Sequence, residues 1–219
     1  MRNVIDSCKK HNARLVFFDN VYMYDRDYLQ HMTEETPVRP TSKKGAIRQQ
    51  IADMLMNEVK HGNLTALIAR AADFTNGRSS VLHQLVTDNL LKGKKANWLV
   101  NANKVHNFTF VSDAAKGTAI LGNTPDAFNQ VWHLPTDATK LTGRQWIELL
   151  AAELNTKPRY SILSKAMLGL LGIFMPVLKE IKEMAYQYDR DYFFDSSKFN
   201  QRFSYIPVTA KNAARLIIQ

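Results

Sequence analysis

Two cations, Lys44 and Arg48, stand four residues apart where the stretch "PVRPTSKKGAIRQQIADMLMNEV", residues 37–59, turns helical. Ile47, Ile51, Met54 and Leu55 recur at spacings of three and four, which predicts one helical face aimed at a core. Ser42 reads as the N-cap, and Pro40 punctuates the loop upstream. At about 100° per residue, Lys44 and Arg48 fall close to the azimuth of Ile51 and Leu55, so two charges prolong an apolar stripe. They repel each other at i, i+4 and oppose the positive end of the helix dipole. Cations so placed either snorkel past the core edge to water or mark a functional site.

Two further groups of polar and aromatic residues each follow an apolar run. "DNVYMY", residues 19–24, succeeds "ARLVFF", and "RAADFTNG", residues 70–77, succeeds "LTALIA". Parallel sheets bind ligands at the carboxyl ends of their strands. That rule gathers Asp19, Asn20, Tyr22, Tyr24, Arg70 and Asp73 on one rim with the start of the Lys44 helix. Any one of these residues also suits a strand-ending Asx-turn, and it is their clustering that favours a site. Self-contained motifs are missing. The nine glycines form no dinucleotide loop, there is no Walker loop or G-x-S-x-G elbow, and no histidine pair has metal-ligand spacing. No metal site is expected, and His106 and His133, isolated in strand-like contexts, read as structural.

The elements that must position these residues alternate. A helix in "RNVIDSCKKHN", a strand in "ARLVFFDNVYMY", a helix over 43–61 closed by Gly62, a strand in "LTALIARAADF" and a helix in "VLHQLVTDNLLKG" stopped by Gly93 give the order αβαβα. Such alternation implies an α/β fold with a parallel sheet covered on both faces. Further on, "NFTFVSDAAKGTAILG" predicts a short strand and then a helix from about Ser112. "FNQVWHLPTD" reads as a strand, "TGRQWIELLAAELN" as a helix entered from Thr142, and "TAKNAARLII" as a C-terminal helix.

Composition narrows the class. The chain has 219 residues, a single cysteine, Cys8, and a formal charge of +9. One cysteine excludes an internal disulfide framework and fits a reducing cytoplasm. The Lys and Arg residues are dispersed, with no zinc-finger, RNP or KH signature, so nucleic acid is not the expected partner. The apolar segment 166–178 is shorter than the roughly 20 residues a membrane span needs, and no membrane partner is expected.

The succession of "NVIDSCKKHNARLVFFDNVYMYD", "TEETPVRPTSKKGAIRQQIADML", "RAADF", "NFTFVSDAAKGTAIL" and "VWHLPTDATKLTGRQWIELLAAEL" resembles the NAD-dependent epimerase/dehydratase family, an atypical branch of the extended short-chain dehydrogenase/reductases. The resemblance implies a partial Rossmann-like parallel sheet with flanking helices and a small, mostly helical C-terminal substrate lobe. It implies one truncated domain over 1–219, with lobe segments near 78–110 and 140–205. The family's opening GxxGxxG units are absent from this sequence, so the resemblance implies a truncated gene product or a complementing N-terminal chain that supplies the first half, and homo-oligomerisation is a further expectation. NAD or NADP is the implied cofactor, and a sugar nucleotide or small carbonyl compound the implied substrate. Aligned on "PVRPTSKKGAIRQQ", the family's Tyr-x-x-x-Lys pair falls on Lys44 and Arg48. Lys44 then replaces a tyrosine, which requires a lowered pKa, and Tyr22 or Tyr24 is the alternative proton donor. The resemblance assigns Arg48, Asp19, Asn20, Arg70 and Ala71 to the cofactor, and Asp73 and Phe74 to the substrate. The runner-up implication is a non-catalytic dinucleotide sensor or interaction protein.

Overall fold

The computed structural model describes residues 1–77, 79–171 and 176–218. Strands β1 (Leu15–Asp19), β2 (Ala66–Arg70) and β4 (Val131–His133) form a parallel sheet in the order β1-β2-β4. Side chains of β2 alternate between faces, as a doubly covered strand requires. Ala66 and Ile68 join Ile5, Ala52 and Leu55 of helices α1 (Arg2–Lys10) and α2 (Lys43–Lys60) on one face. Leu67 and Ala69 join Ala114, Leu121 and Phe199 of α4 (Val111–Gly122) and α8 (Ser197–Phe203) on the other. The register sets Asp19 beside Arg70 and Arg70 beside His133, so one buried polar row closes the carboxyl ends of the three strands.

A second parallel pair, β3 (Ala96–Leu99) with β5 (Tyr160–Leu163), was not foreseen. Its signal is a four-residue run behind Lys94 and Lys95, too short to stand out before burial against Trp146, Ile147 and Leu150 of α5 (Gly143–Glu153). The expected helix in "VLHQLVTDNLLKG" is π-helical over His83–Thr87 and continues as α3 (Asp88–Leu91) before Gly93, whose φ is +67°. The strand expected in "NFTF" is corrected to a single bridge between Phe74 and Thr109, because its backbone bonds divide between two segments, the Asn107 amide donating to the Tyr192 carbonyl and the Thr109 amide to the Asp73 carbonyl. Helices α6 (Lys165–Leu171), α7 (Pro176–Met184) and α9 (Ala210–Ile218) complete the chain. Residues 172–175 of the apolar segment lie outside the described residues, and among those described no helix is long and apolar enough to cross a membrane.

Helix α2 starts as its sequence predicts, with the Ser42 hydroxyl accepting from the Gly45 amide at 3.0 Å. Its buried face differs from the expectation. Gly45, Ala52 and Leu55 are the buried residues, and Ile47, expected in the core, is 56% exposed. The helix approaches so closely that a Cβ on Gly45 would lie 2.3 Å from the Tyr22 carbonyl oxygen, and that contact turns the glycine face inward. Arg48, one turn on from Lys44, is carried towards the strand ends. At α5 the expected entry is built in full, as a capping box between Thr142 and Gln145.

Candidate active-site cleft

A cleft of about 530 Å³ opens at the carboxyl ends of β1 and β2, within the size range of small-molecule sites. Its lining includes Asp19, Asn20, Tyr22, Arg48, Ala71, Asp73 and Phe74, together with Ser79, Ser80 and Val111 at the entrance to the second sheet and α4. Seven of the ten residues singled out from sequence are therefore neighbours. The other three do not line the cleft: Lys44 leaves the rim, while Arg70 and Tyr24 are buried at the strand ends behind it. Lys44 projects to Glu180, with Nζ 2.7 Å from the carboxylate, while its own amide donates to Glu183. Tyr24 is buried under the sheet ends and donates to His133 Nε2 at 2.7 Å. Arg70 is buried beside it, with the guanidinium carbon 4.8 Å from the Tyr24 ring centroid.

Asp19 is the hub of one wall. Arg48 Nη1 stands 3.4 Å from one of its oxygens and Arg70 Nε 3.7 Å from the other, yet neither contact has hydrogen-bond geometry. Burial therefore outweighs the two cations and raises the Asp19 pKa above its ordinary 3.8. Arg48 keeps 36% of its side chain exposed and is the one cation of the lining among the described residues. The Asn20 side chain accepts from the Tyr22 amide at 3.1 Å, the local turn that its residue type allows.

The facing wall holds Tyr22 and Asp73. The charge of Asp73, and then burial, pushes the Tyr22 phenol well above its ordinary pKa, so it stays protonated at neutral pH. Asp73 Oδ2 accepts from His106 Nε2 at 3.1 Å and from the Tyr188 hydroxyl at 3.0 Å. No spacing in the sequence announces His106 or Tyr188 as partners of Asp73, because they reach it from 33 and 115 residues away. Phe74 stacks on Phe18 with centroids 6.2 Å apart. At the end of the polar row, His133 donates Nδ1–H to the Asp195 carbonyl, so its Nε2 must accept from Tyr24. Full burial lowers its pKa to about 3.

The residues present fit one end of a dinucleotide better than the other. Arg48, backed by buried Asp19, and Tyr22 offer charge and hydrogen bonds to ribose-like hydroxyls or an amide, whereas the sequence contains no GxxGxxG loop of the kind that cradles a pyrophosphate. Among the described residues no cluster of His, Cys, Asp and Glu suits a metal ion.

No family model and no curated protein matches the sequence. Solved structures do match its fold. The dTDP-glucose 4,6-dehydratase of Bacillus anthracis str. Ames, in complex with NAD, superposes with a TM-score of 0.76 at 16% identity over 100% of this chain and 64% of its own. UDP-glucuronic acid 4-epimerase from Bacillus cereus, also with NAD, gives 0.75 at 14% identity over 98% and 63%. UDP-glucose 4-epimerase from Thermotoga maritima, with UDP-glucose, gives 0.75 at 14% over 98% and 65%. The chain thus spans under two thirds of the length of these proteins. The chain shares its fold, a partial Rossmann-like sheet with flanking helices, with these sugar-nucleotide dehydratase and epimerase structures.

Proposed function

We propose that this protein acts in NAD(P)-linked conversion of a sugar nucleotide or a small carbonyl compound, with the reacting ends meeting in the cleft at β1 and β2. The observation that carries the reading is the placement of Asp19, Arg48, Tyr22 and Asp73 around one cleft, at strand ends of a fold shared with sugar-nucleotide dehydratases and epimerases. NAD(P), when bound, accepts or returns a hydride. Arg48, held from behind by buried Asp19, binds and orients hydroxyls, and protonated Tyr22 donates a hydrogen bond to a hydroxyl or carbonyl oxygen. Lys44, committed to Glu180, takes no part at the cleft.

The same geometry supports a second reading, a non-catalytic dinucleotide sensor. Its basis is that Tyr22 is held protonated and Lys44 lies outside, leaving the cleft without the usual activated phenol. Titrating the chain with NADH and NADPH by fluorescence, then adding UDP-glucose and following turnover, separates the readings. Binding with turnover supports the enzyme, and binding without turnover supports the sensor. The absence of saturable binding removes both for this chain. Arg48→Ala is expected to weaken NADH binding at least tenfold. For partners, β1 pairs on one side only among the described residues, so self-association or a complementing chain fits that edge, and gel filtration measures it.

A further inference from the structure

The charges at the strand ends are paired unequally. Arg48 and Arg70 are both engaged by Asp19. Asp73 has neither a lysine nor an arginine within ion-pair distance among the described residues, and its partner in that range is His106 at 3.1 Å. Only Oδ2 of Asp73 is tied, by His106 and Tyr188, and Oδ1 has no hydrogen bond among the described residues. The tether is rigid. His106 is buried and its ring lies between Tyr188, 4.2 Å away at 14°, and Tyr192, 4.3 Å away at 6°. Its Nδ1 is buried without a partner, so the ring proton sits on Nε2, facing the carboxylate. A carboxylate is thereby fixed from behind, with one oxygen unspent, in the lining of a cleft large enough for a ligand.

We infer that Asp73, positioned by His106 and Tyr188, is a specificity residue that accepts a hydrogen bond from the uncharged, hydroxyl-bearing part of a ligand and rejects an anionic group there. A hydroxyl gains a charge-assisted bond to Oδ1. A carboxylate or phosphate at the same place meets a like charge, and no described lysine or arginine stands within ion-pair distance of Asp73 to neutralise it, the kind of repulsion by which binding sites exclude wrong ligands. The inference rests on the sugar-nucleotide reading above and narrows it to sugars that are neutral at this wall, as against uronic acids.

Equilibrium binding of UDP-glucose and UDP-glucuronate, which differ by one carboxylate, tests it. The wild type is expected to bind UDP-glucose at least tenfold tighter than UDP-glucuronate, and Asp73→Asn to bring the ratio within threefold. His106→Gln, which retains a side-chain N–H donor, is expected to keep the preference. His106→Phe, which keeps a ring between the tyrosines without a donor, is expected to lose at least threefold of it. If Asp73→Asn does not fold, Tyr188→Phe is read in its place and is expected to lower the ratio at least threefold. Equal binding of the two ligands by the wild type, or a ratio unmoved in the folded variants, overturns the inference and leaves the sugar-nucleotide reading standing. Failure of both ligands to bind the wild type overturns the two together.

Discussion

At the scale of the residue, Asp19 sits in an electrostatic conflict. A carboxylate with a fully buried side chain faces two guanidinium groups that miss hydrogen-bond geometry, and its folded pKa is raised by burial. A raised carboxyl pKa means that the folded state holds its proton to higher pH than the unfolded chain does. Stability from this group is full below about 3.8 and declines as pH rises through the higher folded value. Asp19→Asn removes that slope. In denaturant titrations from pH 3.5 to 8, the variant is expected to gain on the wild type by up to about 1.4 kcal/mol per pH unit within the window. A constant difference across the range would show that Asp19 is solvated or fully compensated. Lys44 illustrates the opposite outcome. Its place in the sequence announced a ligand-facing charge, yet its ammonium ends on Glu180, a partner 136 positions away that periodicity cannot reveal.

At the scale of the element, helix α2 is the part that aims the site. Gly45 allows the helix start to touch the Tyr22 carbonyl, which brings Arg48 to Asp19. Gly45→Ala places a methyl 2.3 Å from that oxygen and 2.8 Å from Pro40 Cβ. Overpacking against backbone is expected to cost about 1–3 kcal/mol in chemical denaturation and to weaken cleft binding at least threefold. Gly122→Ala is the control, since its new methyl would lie 3.5 Å from Val16 in ordinary contact and raises helix propensity. That variant is expected to be neutral or stabilised by up to about 1 kcal/mol. Sequence made much of this level legible. Ser42, Thr142, Gly62 and Gly93 mark helix ends through local chemistry, and each works there as its residue type predicts. The inward face of α2 was less legible, because a buried glycine leaves no mark in a pattern built from large apolar residues.

At the scale of the whole molecule, His133 joins three separate parts. It belongs to β4, accepts from Tyr24 after β1, and donates to the Asp195 carbonyl in the segment leading to α8. Burial holds its pKa near 3, below the ordinary 6.5, so the unfolded chain binds this proton first as pH falls. Stability from the neutral imidazole is whole above 6.5 and is lost progressively down to about 3, at up to about 1.4 kcal/mol per pH unit. Acid unfolding of His133→Gln is expected to lack this component while starting from a lower stability at pH 7. An unchanged acid midpoint slope in that variant would place the acid sensitivity elsewhere.

By itself the sequence determined the alternation of helices and strands around β1 and β2 and the helix caps, because each follows from residues close along the chain, and that alternation in turn implies a parallel sheet. Seven of the ten candidate residues line one cleft, six of them because strand ends of a parallel sheet converge and Arg48 because α2 begins beside those ends. Tertiary structure alone decided which charges remain free to meet a ligand. Glu180 claims Lys44, Asp19 engages Arg48 and Arg70, and His106 and Tyr188 tether Asp73. Apart from Arg48 with Asp19, those pairings join residues 33 to 136 positions apart or strands set side by side by register, and Arg48 reaches Asp19 only because a glycine lets α2 close on Tyr22. Charge pairing depends on distance in space, which local periodicity does not encode.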